Sequence, residues 1–270
     1  MASHLTGVMS SSTCSTTATN VFEIGKHITV LLRAEPGTCT TKSSLPVPPP
    51  LQLLIATPSE AGEFPLLLLL HGYLLYNSFY SQLIQHIASH GFIVLAPQLY
   101  TVAGPDSSEE IKSAAAVTNC LDRHRPGGWN GQRETNPPPV LTYVPHSFDL
   151  DMAVMVIGSG LGEVKRNPLF PPCAPKGVNH EDFFKECREP ACYFLAKDYG
   201  HLDMLDDETN GIRGKATHCL CKNGKSREPM RRFVGGIVIA FMKAYLEGDN
   251  SSLISIRDGH ATAPVELQKC

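Results

Sequence analysis

Between Phe64 and Pro97, two short apolar runs flank a stretch with helical spacing, and nothing else in the sequence restricts the fold as much. The first run, Phe64 to Leu70, is continuously apolar and ends at His71-Gly72; the second is Phe92 to Pro97. Runs this short, bounded by punctuating residues, predict strands buried on both faces of a largely parallel sheet. Between them Phe79, Leu83, Ile84 and Ile87 recur at helical spacing across Ser78 to Ser89, with Gly91 just beyond as a stop. Leu51 to Thr57 alternates enough for a strand, and Ile111 to Leu121 reads as a second helix. The succession is that of an α/β fold.

The rhythm breaks at Asp122 to Asn136, which is polar, Gly-rich and without period. It then resumes. Leu141 to Val144, Ala153 to Gly158 and Cys192 to Lys197 read as strands, Glu181 to Arg188 as a helix, and Pro229 to Leu246 as a long amphipathic helix. A chain of 270 residues suits one large domain. The reading places that domain at 51–250, with an anomalous junction at 122–136. Residues 1–50 form an N-terminal tail and irregular lead-in, and 251–270 a C-terminal tail. Residues 1–20 hold no acidic residue and are dense in Ser and Thr, which fits a plastid transit peptide or a plain tail. Pro65 to Leu70 is far too short to cross a bilayer. A net charge of -3 leaves no basic surplus for nucleic acid. Nine cysteines, odd in number and scattered, read as reduced thiols rather than a disulfide framework.

Three strings then converge: LLLLLHGY (Leu66 to Tyr73), SHGFIVLAPQLY (Ser89 to Tyr100) and AKDYGHLDMLDD (Ala196 to Asp207). They resemble the chlorophyllases, plant esterases of the α/β-hydrolase fold. The resemblance also takes in His146 to Gly162, Asn167 to Phe184, CLCKNG (Cys219 to Gly224) and Pro229 to Asp249. It implies a serine esterase without cofactor or metal, whose substrate is chlorophyll or a similar lipophilic ester. A chloroplast location, with peripheral contact to the plastid membrane, goes with it; the cytosol is the alternative.

Gly72 and Tyr73 suit an oxyanion hole, because glycine lets backbone approach the substrate and N–H groups after a strand can face developing charge. The family pattern implies the same role. Leu74-Leu75-Tyr76 would add an apolar wall. His201 follows a strand and Gly200, in a loop where an imidazole can take a proton from a hydroxyl. Asp203, Asp206 and Asp207 read as acids at a helix N-terminus rather than as the catalytic acid.

The nucleophile is missing. This fold sets its serine in a G-x-S-x-G turn, and the chain contains none. The family's GHSRGG and DPV(D/A)G strings belong between Leu121 and Pro137, and neither occurs there. Two absent βα units amount to roughly sixty residues, and losing a central strand exposes the backbone of its neighbours. Ser159 lacks glycines at the required offsets, Ser147 lacks glycines altogether, and Cys120 has no elbow around it. Arg125 to Arg133 can be encoded so that reading one base later yields DPVDGMGK, so a shifted frame at the junction is expected. Cys219-x-Cys221, with His218, Cys187 and Cys192 near in sequence, is a weak match to a zinc site, and a disulfide among these cysteines is the stronger of the two readings.

Overall fold

The computed structural model describes residues 20–37, 50–100, 111–117, 141–148, 151–169 and 171–268. Strands β1 (Thr29–Ala34), β2 (Leu53–Pro58), β3 (Leu66–Leu68) and β4 (Ile93–Pro97) form one sheet in the order β1-β2-β4-β3. Only β3 and β4 run parallel in it. Strands β5 (Val154–Ser159), β6 (Ala191–Ala196) and β7 (Leu267–Gln268) form a second sheet, with β5 and β6 parallel. Helix α1 is Ser81–Ser89, and residues 111–117 form α2. Among the described residues four more α-helices follow: α3 (His180–Glu186), α4 (Gly211–Cys219), α5 (Glu228–Met242) and α6 (Ser251–Arg257).

The expectation of one mostly parallel sheet needs correcting. The described strands divide in two, and β3 and β5 each end a sheet. Nor is β3 buried on both faces: Leu66 is exposed and Leu67 and Leu68 are half-buried. Among the described residues no strand pairs with its free side. One apolar core nevertheless serves both sheets, joining Leu54 and Val94 of the first to Phe194 and Ala196 of the second through α1 and α5.

Helix α1 shows how local pattern and distant contact combine. Leu83, Ile84 and Ile87 bury one face, and Gly91 at φ 91° lets the chain leave. Its N-terminus has no cap of its own. Asp206 supplies one from far along the chain, accepting from the Ser81 N–H at 3.0 Å and the Gln82 N–H at 2.9 Å. Residues 203–207 are turn, bend and irregular chain rather than a helix start, so of the three acids expected at a helix N-terminus only Asp206 caps one, and not its own.

Burial raises the Asp206 pKa to about 6, against the pull of those amides and Arg231. A carboxyl with a raised folded pKa favours the folded state most below its unfolded pKa, and that advantage is lost as pH rises through about 6. The stability difference between the parent and Asp206→Asn, measured by denaturant titration, should therefore shift against the parent as pH rises from 4 to 8.

Both tail boundaries are corrected. Val21 and Phe22 are buried against Phe233 and Gly236 of α5, and β1 pairs along the whole of β2. At the other end Ile256 of α6 and Val265 enter the core, and β7 extends the second sheet. Apart from β1, these segments lack a strong period, and their burial depends on surfaces formed elsewhere. Leu141 to Val144 is irregular, not a strand. The buried Glu186 carboxylate organises it, accepting from the N–H groups of Thr142 (3.1 Å) and Tyr143 (2.5 Å) and from the hydroxyls of Thr142 and Ser147. Burial alone would raise the Glu186 pKa, but these donors hold it below the usual carboxylate value. The remaining expected elements form within a few residues of their predicted bounds; 122–136 and 118–121 lie outside the described residues.

Candidate active site

Beyond β3 the chain passes through His71-Gly72-Tyr73, and a polar network fixes the loop. The Leu99 N–H donates to His71 Nε2 at 3.0 Å, so that nitrogen is an acceptor and the ring proton sits on Nδ1, 3.0 Å from the Gly72 carbonyl. Gln98 Nε2 lies 3.0 Å from the same His71 nitrogen, while Gln98 Oε1 accepts from the Asn77 N–H. Asn77 Nδ2 donates to the Ala96 carbonyl of β4. Both nitrogens of His71 are therefore engaged in shaping the loop. Leu74 adopts φ 60°, a conformation costing about 1–2 kcal/mol for a residue with a Cβ. Its N–H is held at 2.7 Å by the Tyr100 hydroxyl.

The structure separates the two expected oxyanion donors. The Gly72 N–H already donates to the Tyr80 hydroxyl at 3.1 Å. Among the described residues nothing accepts from the Tyr73 N–H, and this side chain is 68% exposed. Tyr80 was not singled out by sequence, because its role depends on the turn that folds it back onto Gly72. Burial pushes its phenol pKa up to about 12, so it stays protonated, and among the described residues nothing accepts its proton.

His201, Gly72 and Tyr73 line one cavity of about 810 Å³. Its walls are mostly apolar, from Leu67 to Leu70 of β3 and its extension, Leu83 and Ile87 of α1, and Val234 and Val238 of α5. Leu74 and Leu75 join the lining as expected. Tyr76 does not; its ring packs on Phe79 and lies under the Arg213 guanidinium, 4.9 Å away. His201 is exposed, yet desolvation by the protein around its ring, aided by neighbouring His180, holds its pKa below the usual imidazole value. It is thus neutral at pH 7 and fit to accept a proton. NMR titration should give His201 a midpoint below that of an exposed histidine, and His180→Phe should raise it.

No carboxylate among the described residues bonds to His201. Asp203, 1% exposed, spends one oxygen on the N–H groups of Gly200 and Gly224, each at 2.6 Å. This clamps the histidine loop to the turn after α4. Asp207 pairs with Arg231 at 2.7 Å, and Asp206 caps α1. Neither serine weighed as a substitute lies on the cavity. Ser147 is committed to Glu186 and Thr142, and Ser159 is buried at the end of β5. Cys120 lies outside the described residues. Cys221 is joined to Cys173 in a disulfide, which removes it as a metal ligand and corrects the general reading of reduced thiols. Sequence alone did not single out Cys173, whose partner lies 48 positions away.

Comparison with known proteins identifies the family. The chlorophyllase family model matches residues 17–126 and 126–270, two stretches that meet inside the aperiodic junction. The chain is 49% identical to Chlorophyllase-2 of Arabidopsis thaliana over 311 aligned positions, covering 94% of this chain and 98% of that protein. As 94% of 270 residues is about 254, about 57 of those 311 positions have no residue from this chain. Chlorophyllase-1 of the same plant is 36% identical over 298 positions, covering 91% of this chain and 90% of its own. Chlorophyllase-1, chloroplastic, of Citrus unshiu is 38% identical over 277 positions, covering 85% and 83%. With the histidine loop and the His-Gly loop gathered on one apolar cavity, and matches running along both halves, this chain belongs to the chlorophyllase family.

Proposed function

We propose that the chain is a chlorophyllase-type carboxylic-ester hydrolase, acting on chlorophyll to give chlorophyllide and phytol, that in its present form lacks a nucleophile and a catalytic acid. The observation carrying this reading is the apolar cavity that takes both His201 and the Gly72-Tyr73 loop into its lining. In the complete site a serine attacks the ester carbonyl while His201 takes its proton and returns it to the departing phytol alkoxide. The Tyr73 N–H faces the developing oxyanion, and water then releases the acid. The absent piece is the elbow unit and the βα unit after it. Supporting this are the roughly 57 unmatched positions, the family match divided at residue 126, and the sides of β3 and β5 that no strand among the described residues pairs with. A plastid location follows the Citrus relatives named chloroplastic.

A second reading is favoured by the lack of a serine or acid beside His201 among the described residues. It is a non-catalytic product, a pseudoenzyme or splice form, that binds chlorophyll or a partner. Sequencing the transcript and assaying the purified chain for chlorophyll binding and hydrolysis separates the two. An in-frame transcript, with binding but no turnover, supports the second. A transcript that restores a glycine-flanked serine supports the first.

A further inference from the structure

We infer that the apolar cavity is a binding site for an amphiphilic acid, an apolar body ending in a carboxylate, and that Arg213 receives the carboxylate. Arg213 stands in the first turn of α4. Together with Ala216, Thr217 and Leu220 it lines the cavity at helical spacing, so one face of α4 forms a wall. Among the described residues in that lining Arg213 alone carries a full charge; no Asp or Glu joins it, and His201 is neutral. Aliphatic walls suffice for the body of a lipophilic ligand. The cation calls for something more.

Helix stability does not explain its placement. A cation in a first turn opposes the helix dipole, and neither a capping side chain nor an acidic residue in that turn of α4 offsets it. The ring of Tyr76 packs on the guanidinium, 4.9 Å from ring centre to the Arg213 central carbon. Stacking uses the flat face of the group, whereas its five N–H donors lie in its plane and match the two oxygens of a carboxylate. The neighbouring Thr217 hydroxyl is already committed, donating to the Gly214 carbonyl and accepting from Arg227. At about 810 Å³ the cavity has the size that encloses a whole ligand. An alcohol or ester of a given body gains the walls alone; the acid gains a charge-assisted pair besides, in apolar surroundings that strengthen it. Should the site cleave esters as proposed above, the acid it releases is itself such a ligand. That consequence rests on the proposed function; the carboxylate site does not.

The test is calorimetric titration of the full chain, at neutral pH, with hexadecanoate, hexadecanol and methyl hexadecanoate, and separately with chlorophyllide and its methyl ester. At least one acid should bind about tenfold or more tighter than its uncharged counterparts. Arg213→Met should bring the acid down to the level of the alcohol or ester and leave those two unchanged, which also shows that the cavity is intact. Arg213→Lys should keep part of the preference, because an ammonium supplies charge without the paired donors. Preference for hexadecanoate points to a fatty acid as ligand, and preference for chlorophyllide to the released acid. Equal binding of acid and uncharged forms by the parent, a preference that survives Arg213→Met, or no binding of either acid by a chain with a cooperative melt each overturns the proposal. If Arg213→Met does not fold, the parent and Arg213→Lys decide it: no acid preference in the parent, or a full one in Arg213→Lys, overturns it. Acid preference without ester turnover counts against the enzymatic reading alone; turnover without acid preference counts against the carboxylate site alone.

Discussion

Incubated with chlorophyll or a simple aryl ester, this chain should release product no faster than buffer, and a family-derived insert carrying a glycine-flanked serine in place of residues 122–136 should raise the rate by about 10⁴-fold or more. The size follows from cooperation within a triad. A base without its nucleophile contributes almost nothing, and removing either alone costs nearly as much as removing both. His201 is neutral and sits on an apolar cavity with the Tyr73 loop, but among the described residues no hydroxyl lies on that cavity for it to deprotonate except those of Tyr73, Tyr80 and Thr217. Two phenols and the buried Thr217, which already donates to the Gly214 carbonyl, lack an activated geometry. His201→Ala should abolish the gain in the repaired chain and change nothing in the parent. Turnover by the purified, sequence-verified parent, lost on His201→Ala, would mean that a nucleophile is present after all.

Phe22→Ala should cost about 3–5 kcal/mol, a large share of the roughly 5–15 kcal/mol that holds a domain together. Phe22 is 2% exposed, and its ring lies 6.2 Å from that of Phe233 on α5. Gly236 makes that approach possible: a Cβ there would sit 2.3 Å from the Phe22 ring. Truncation would leave a cavity against an otherwise filled helix face and loosen the segment tied down by Arg232, which donates to the Phe22 carbonyl at 2.9 Å. Ile24→Ala, at a side chain 74% exposed, should fall within about 0.5 kcal/mol of the parent. Urea denaturation of both variants decides the matter. If Phe22→Ala melts with the parent, residues 20–37 are a tail, as their sequence suggests.

That contrast marks what periodicity can convey. Strands and helices whose burial follows their own spacing, such as β4, α1 and α5, were legible because each presents its apolar face through residues a few positions apart. Val21 and Phe22 were not, since two apolar residues have no period and their burial depends on α5, more than two hundred positions away. The site divided likewise. His201 and Gly72-Tyr73 were picked as candidates by motif, and they line one cavity. Tyr80 behind Gly72, Asp203 between Gly200 and Gly224, and Asp206 on α1 were assigned no such work, because each bonds a group its own segment does not contain.

The sequence by itself determined the α/β class, the bounds of its stronger elements and the family likeness. Only the tertiary structure decided which strands pair, that β3 ends a sheet among the described strands, that Val21, Phe22, Ile256 and Val265 contribute to the core, and that a carboxylate 125 positions distant caps α1. The reason is physical: side-chain spacing sets which face of an element is apolar, but hydrogen-bond partners and buried neighbours are chosen by whatever surface the rest of the chain brings alongside.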